Sequence, residues 1–206
     1  MNYQHRFRVQ APMQTVAEFH SYPDAMAAIT PPPIFVQVHQ APARVAEGQQ
    51  MDFTMWLGPL PLRWQARFED VTATGFVDRM VQGPLAAWQH RHSFVAVDDD
   101  HTDVVDELEV AVRRHPLWGP VGLGMSLNLP VLFAYRQWQT RRLLDQQQQT
   151  GASLTELMQH AGKRQVNATL ALGAVALAAG VVAGIAVIKR ARRAKQPQPF
   201  SHNGAA

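Results

Sequence analysis

Two histidines two residues apart, His90 and His92, and two aspartates, Asp78 and Asp106, sit within runs that otherwise alternate apolar and polar residues. An imidazole beside a carboxylate can move a proton near neutral pH, orient a carbonyl or hydroxyl, or neutralise its neighbour in a buried place. Side chains two apart on a strand share a face, which groups Trp88, His90, His92 and Phe94, then Phe76, Asp78 and Met80, then Val104, Asp106 and Leu108. The apolar members mark these faces as inward. Tight turns at Gly83-Pro84 and at Asp98-Asp99-Asp100 set an antiparallel register that places Asp78 near His90 and His92 opposite Asp106. Three readings stay open for the four residues. They are mutually satisfied structural pairs, a polar floor for a ligand, or catalytic acid–base partners for dehydration or aldol cyclisation. A zinc site wants a third convergent ligand that this spacing does not supply, so no metal is expected.

Other chemistries are excluded by composition. The 206 residues hold no cysteine, which removes disulfides, thiolate metal sites and thiol nucleophiles. No Gly-rich phosphate loop and no Gly-x-Ser-x-Gly or Ser-x-x-Lys nucleophile motif is present, and no cofactor is expected. The remaining histidines, His5, His20, His39, His101, His115, His160 and His202, are scattered and read as surface or loop residues. Asp98 to Asp100 with Asp103 reads as a solvated turn rather than a calcium loop. The net charge of +3 is a property of the tail. Lys189, Arg190, Arg192, Arg193 and Lys195 supply five of the 19 positive charges, leaving 14 against 16 acids, a net −2, in the rest of the chain. That is a poor nucleic-acid surface.

The elements that must carry these residues follow from periodicity. Tyr3, His5, Phe7 and Val9 alternate as a strand, not as the apolar core of a signal peptide. Two short helices, from Pro12 to His20 and from Tyr22 to Ile29, end at Pro31-Pro32-Pro33, which can neither continue a helix nor donate to a ladder. Strands are predicted over Ile34–Gln40, from Gln50 with Met51, Phe53, Met55 and Leu57 on one face, and then with Trp64, Ala66 and Phe68 inward. Gly75–Gln82, Ala87–Val97 and Thr102–Arg113 complete an antiparallel meander. His115–Pro130, rich in Gly and Pro, reads as an apolar loop over a cavity or core end. From Pro130 to about Gln149 apolar residues recur with helical spacing, giving a long helix that needs a sheet to lie against.

Ala168–Ile188 is 21 residues without a charge, long enough to cross a hydrocarbon core of ~30 Å as one transmembrane helix. The expected boundaries are a domain over 1–149, a linker with a short helix over 150–166, the span over 167–189 and a basic, disordered tail over 190–206. The span makes the protein a single-pass, C-terminally anchored membrane protein. The positive-inside rule alone would put the tail in the cytoplasm. Exporting the N-terminal domain would need a signal, so the domain is placed on the cytoplasmic face. Gly173, Ala176, Gly180 and Gly184 form a small-residue stripe through which two copies could pair as a homodimer, and the basic cluster suits anionic membrane lipid.

The order of elements specifies an α+β helix-grip fold, a curved antiparallel sheet of about seven strands around a long C-terminal helix. That order, together with Thr30-Pro31-Pro32, Gly75-Phe76-Val77-Asp78, Gly83-Pro84 with Trp88-x-His90-x-His92-x-Phe94, Thr102-x-Val104-x-Asp106 and Leu132-Phe133-Ala134-Tyr135-Arg136, resembles the START-like ligand-binding superfamily, or SRPBCC. Within it the chain is most similar to the polyketide cyclase/dehydrase-like and coenzyme-Q-binding-like branch. The resemblance covers about residues 1–148 and stops short of the span. It implies a cavity holding a hydrophobic small molecule such as a lipid, quinone or polyketide-like compound. The residues then expected to contact ligand are Phe53, Met55 and Trp64 on the first meander strands, and Phe76, Asp78, Met80, Trp88, His90 and His92 on the hairpin. Asp106 and Leu108 follow on the last strand, with Trp118 from the loop and Tyr135 from the helix. Non-enzymatic binding or carriage at a membrane is the first expectation. A cyclase/dehydratase and a membrane-associated interaction protein are the alternatives.

Overall fold

Period-2 alternation builds most of the molecule, and strand pairing follows it. The computed structural model describes residues 1–172. β1 (Asn2–Val9) is followed by helices α1 (Met13–Ser21) and α2 (Asp24–Ala28) and then by β2 (Ile34–Gln40), β3 (Gln50–Leu57), β4 (Leu60–Thr72), β5 (Gly75–Gln82), β6 (Ala87–Ala96) and β7 (Thr102–Ala111). The seven strands form one antiparallel sheet in the order β1-β7-β6-β5-β4-β3-β2. The six strands from β2 onward are thus a meander, and β1 returns to close it beside β7. On β4, Leu62, Trp64, Ala66 and Phe68 are buried while Arg63 and Arg67 face outward, the pattern of a sheet with one covered face.

The cover is helical. α1 buries Val16, Phe19 and His20, three positions of one helical stripe, and packs on β6. α4 (Leu129–Thr150) opens with Pro130 in its first turn and ends at Gly151, whose φ of 65° is the left-handed conformation of a helix C-cap. It buries Leu129, Phe133, Leu143 and Leu144 and lies against β1, where the Phe133 ring sits 5.5 Å from Tyr3 and 6.0 Å from His5.

Two segments differ from expectation. His115–Pro130 is not a loop: Trp118–Leu127 forms α3, leading directly into α4. Its Gly122 is packed where a Cβ would lie 2.9 Å from Leu85 in the β5–β6 turn and 3.1 Å from Val112 just past β7, so close approach to these two side chains explains a glycine in a helix. The short helix expected in the linker over 150–166 is longer than expected and is docked. Residues 154–172 are helical (α5), and Leu154, Leu157, Met158 and Ala161 are buried in the main core. Their i, i+3, i+4, i+7 spacing is the reason this segment docks instead of hanging free. Met1–Thr169 accordingly forms one compact unit. Among the described residues no helix is long and apolar enough to cross a membrane. The expected span Ala168–Ile188, its stripe Gly173, Ala176, Gly180 and Gly184, and the basic cluster lie, apart from the first few residues of the span, outside the described residues.

Candidate functional site

β5, β6 and β7 bring the four ionisable residues together through backbone register. Asp78 stands opposite His90 and His92 opposite Asp106, as turn geometry predicts. The side chains, however, do not form two separate pairs. They close a ring in which each imidazole touches both carboxylates. The aligned hydrogen bonds run diagonally: His90 Nε2 donates to Asp106 Oδ1 at 3.0 Å and His92 Nε2 to Asp78 Oδ2 at 3.2 Å. The register pairs, His90 Nδ1 to Asp78 Oδ2 and His92 Nδ1 to Asp106 Oδ1, are each 3.1 Å apart and are ion-pair contacts without hydrogen-bond alignment. The second oxygen of Asp78 accepts from the Trp88 indole N–H at 3.1 Å.

Half of the ring is buried, with His90 2% and Asp106 5% exposed, and Asp78 and His92 on the cavity side are half-buried. Burial resists the charge on His92, but Asp106 and Asp78 overcome it and push the imidazole up to about 9. Burial likewise resists ionisation of the two aspartates, and His90 and His92 still hold both carboxyls well below the usual carboxylate range. The ring is thus a stable ionic cluster at neutral pH. Asp78, His90 and His92 also present ligand atoms within 4.8 Å of one another, so the third convergent ligand that sequence spacing lacked does exist. A divalent cation there would have to displace the ring's own contacts.

Gly75 protects this geometry. Its φ is 155° and a Cβ at that position would lie 2.1 Å from the His92 carbonyl oxygen. Gly75→Ala is therefore expected to cost about 2 kcal/mol and to draw β5 away from β6, loosening Asp78 from both imidazoles. Urea unfolding and the His92 titration, read by NMR, check it: stability should fall and the His92 pKa should move down together.

Beside the ring lies a cavity of about 370 Å³ between the sheet and the helices. Of the residues expected to contact ligand, Phe53, Met55, Trp64, Phe76, Asp78, Trp88, His90 and His92 stand on its wall. Five others do not. Leu108 and Asp106 lie toward the β1 edge, where α4 covers the sheet and Phe133 meets His90 edge-on at 5.4 Å. Met80 packs partly buried against the core, with its sulfur close to Gly83. Trp118 stands at the start of α3, whereas the cavity is lined farther along by Gly124 and Met125. Tyr135 turns to α5, where its hydroxyl accepts from the Gln165 amide, because it sits on the side of α4 facing that helix.

Among the wall residues that the sequence did not mark as ligand contacts are a histidine, His20, and an arginine, Arg136. His20, expected at the surface, is buried; its Nδ1 donates to the Val16 carbonyl at 2.8 Å, and its ring centroid lies 6.1 Å from that of His92. Burial, with the His92 charge adding to it, pushes His20 down to about 4. Its position four residues after Val16 and one after Phe19 was the available signal. Arg136 reaches the cavity from α4, three residues after Phe133 and four after Leu132, again a helical stripe. It makes no hydrogen bond or ion pair with any described residue, its buried Nε has no partner, and the guanidinium carbon lies 5.1 Å from the centre of the Phe133 ring. Burial pushes the Arg136 pKa down, against the opposing pull of Asp106 and Asp78. Asp103, read as part of a solvated turn, is 4% exposed on the opposite face. Arg8 and Arg6 clamp it at 2.7 and 2.8 Å, and these hydrogen bonds hold its carboxyl down at about 2.

No family model matches the chain, and no curated protein matches it. Solved structures do. A nucleoside-diphosphate sugar epimerase from Corynebacterium glutamicum is 26% identical with a TM-score of 0.54; the match covers 72% of this chain but only 30% of that one. The Zhui aromatase/cyclase from Streptomyces sp. R1128 is 14% identical over 74% of this chain and 98% of its own, with a TM-score of 0.61. A START superfamily protein from Mycobacterium smegmatis is 17% identical over 69% and 98%, with a TM-score of 0.52. Seven antiparallel strands gripping one long helix give this chain the START, or SRPBCC, fold.

Proposed function

We propose that the protein binds and carries a hydrophobic small molecule, a lipid, quinone or polyketide-like compound, without transforming it. The observation that carries this reading is the cavity itself, walled mainly by apolar and aromatic side chains with only a few polar groups, the usual make-up of a small-molecule site. Delivery from a membrane is the second part of the proposal. It is supported by Leu123, Leu127 and Val131, which follow one another at four-residue intervals across α3 and the start of α4 and are at least half exposed. Val131 also lines the cavity, so the exposed apolar face is continuous with the cavity wall. The apolar run Ala168–Ile188 would hold that face near a bilayer and raise the local concentration of a membrane-soluble ligand.

Purification of the full chain, organic extraction and mass spectrometry test the proposal. An apolar compound enriched over a mock purification is expected; its absence from repeated preparations would remove the main support. A second reading, acid–base cyclisation or dehydration by His90, His92, Asp78 and Asp106, draws on the three ring members that face the cavity. The charge on His92 weighs against it: with its pKa pushed up to about 9 the imidazole keeps both protons at neutral pH, and a general base needs a free lone pair within reach of its substrate.

A further inference from the structure

Arg136 is the cavity feature that simple apolar binding does not explain. Arg136 is half-buried and its buried Nε has no partner, so the guanidinium loses hydration and receives only the unbonded pull of Asp106 and Asp78 in return. The Phe133 face offsets only part of it. The other ionisable groups facing the cavity do not pair with Arg136. Asp78 is engaged by His90, His92 and Trp88, and His20 is uncharged at neutral pH, its Nδ1 bonded to backbone.

We propose that the cavity selects amphipathic ligands with a carboxylate head, held by the Arg136 guanidinium while their apolar body lies along Met51, Phe53, Met55, Trp64 and Phe68. This rests on the reading of the cavity as an apolar ligand site and narrows it to a class. The planar fork of arginine matches a carboxylate with two parallel hydrogen bonds. One guanidinium balances one charge; a phosphomonoester brings nearly two charges and three acceptor oxygens, and among the described residues the cavity wall offers no second cation besides the ring-bound His92. The chemistry therefore fits long-chain carboxylic acids better than phosphorylated lipids.

The test uses the full chain with cis-parinaric acid, its methyl ester and the corresponding alkyl phosphate, read by energy transfer from Trp64 and Trp88, which line the cavity. The acid is expected to bind about tenfold tighter than the ester and tighter than the phosphate. Arg136→Met should bring the acid-to-ester ratio toward one, and Arg136→Lys should keep part of it. Equal affinity of the wild type for acid and ester overturns the inference but leaves apolar binding standing, and binding of neither overturns both. A preference for the acid that survives Arg136→Met overturns the assignment to Arg136, and a preference for the phosphate overturns the carboxylate class. Should Arg136→Met fail to fold by circular dichroism, the wild-type ratio and the Arg136→Lys ratio still decide.

Discussion

Asp106→Ala is expected to destabilise the protein by about 3–5 kcal/mol, the range for breaking a buried ion pair by removing one partner. Asp106 accepts from His90 and stands 3.1 Å from His92, so its loss leaves a buried and a half-buried imidazole with only Asp78 between them. Because Asp106 is the strongest of the groups raising the His92 pKa, that value should move down from about 9 in the same variant. Equilibrium unfolding in urea and an NMR titration give both numbers. Removing Asp106 and His90 together should cost much less than the sum of the single losses, since groups in one network do not act independently. A single-mutant loss below about 1 kcal/mol, the scale of an exposed pair, would mean that the ring does not hold the sheet.

Stability should peak near pH 6.5 and fall on both sides. On the alkaline side the folded His92 pKa of about 9 exceeds the ordinary 6.5, so the native state holds a proton that the unfolded chain has released. Its contribution is complete below pH 6.5 and is lost as pH rises through 9, on the order of 3 kcal/mol. On the acid side the sign reverses. The folded His20 pKa of about 4 is below 6.5, so the unfolded chain binds a proton that the native state refuses, and stability falls as pH drops from 6.5 to 4 by a similar order. Below that, protonation of Asp78 and Asp106, whose folded values are depressed, removes their share as well. Melting temperatures across this range check the profile. His20→Leu should flatten the limb between pH 4 and 6.5, and a profile unchanged by it would break the link to His20.

Much of the frame was legible because a strand's period of two leaves little freedom. The alternation of Trp88, His90, His92 and Phe94 fixed the inward face, and the turn lengths fixed Asp78 against His90 and His92 against Asp106. Register alone could not show that the hydrogen bonds run along the diagonals, because that depends on χ angles within a crowded ring whose two imidazole centroids are 3.8 Å apart. α3 was hidden for another reason. Gly119, Pro120, Gly122 and Gly124 lower its helix propensity, and its helicity comes from packing against α4 and against Leu85 and Val112 at the end of the sheet. The α5 stripe was readable from Leu154, Leu157, Met158 and Ala161, but the adjoining Thr150-Gly151 break and the apolar run beyond it favoured a linker. Arg136 lay on a recognised helical stripe; only the position of α4 shows that this stripe meets the cavity.

β1 reaches its place beside β7 by closing a loop of roughly a hundred residues, whereas each strand from β3 to β7 pairs with the one just before it in the chain. Short-range pairings form sooner than long-range ones, so the meander is expected to assemble first and β1 to dock last. Until it docks, Asp103 lacks both of its arginines and Phe133 lacks the rings of Tyr3 and His5. The N-terminal strand contributes no residue to the cavity wall, and its arrival is nonetheless the step expected to set how fast a finished cavity appears.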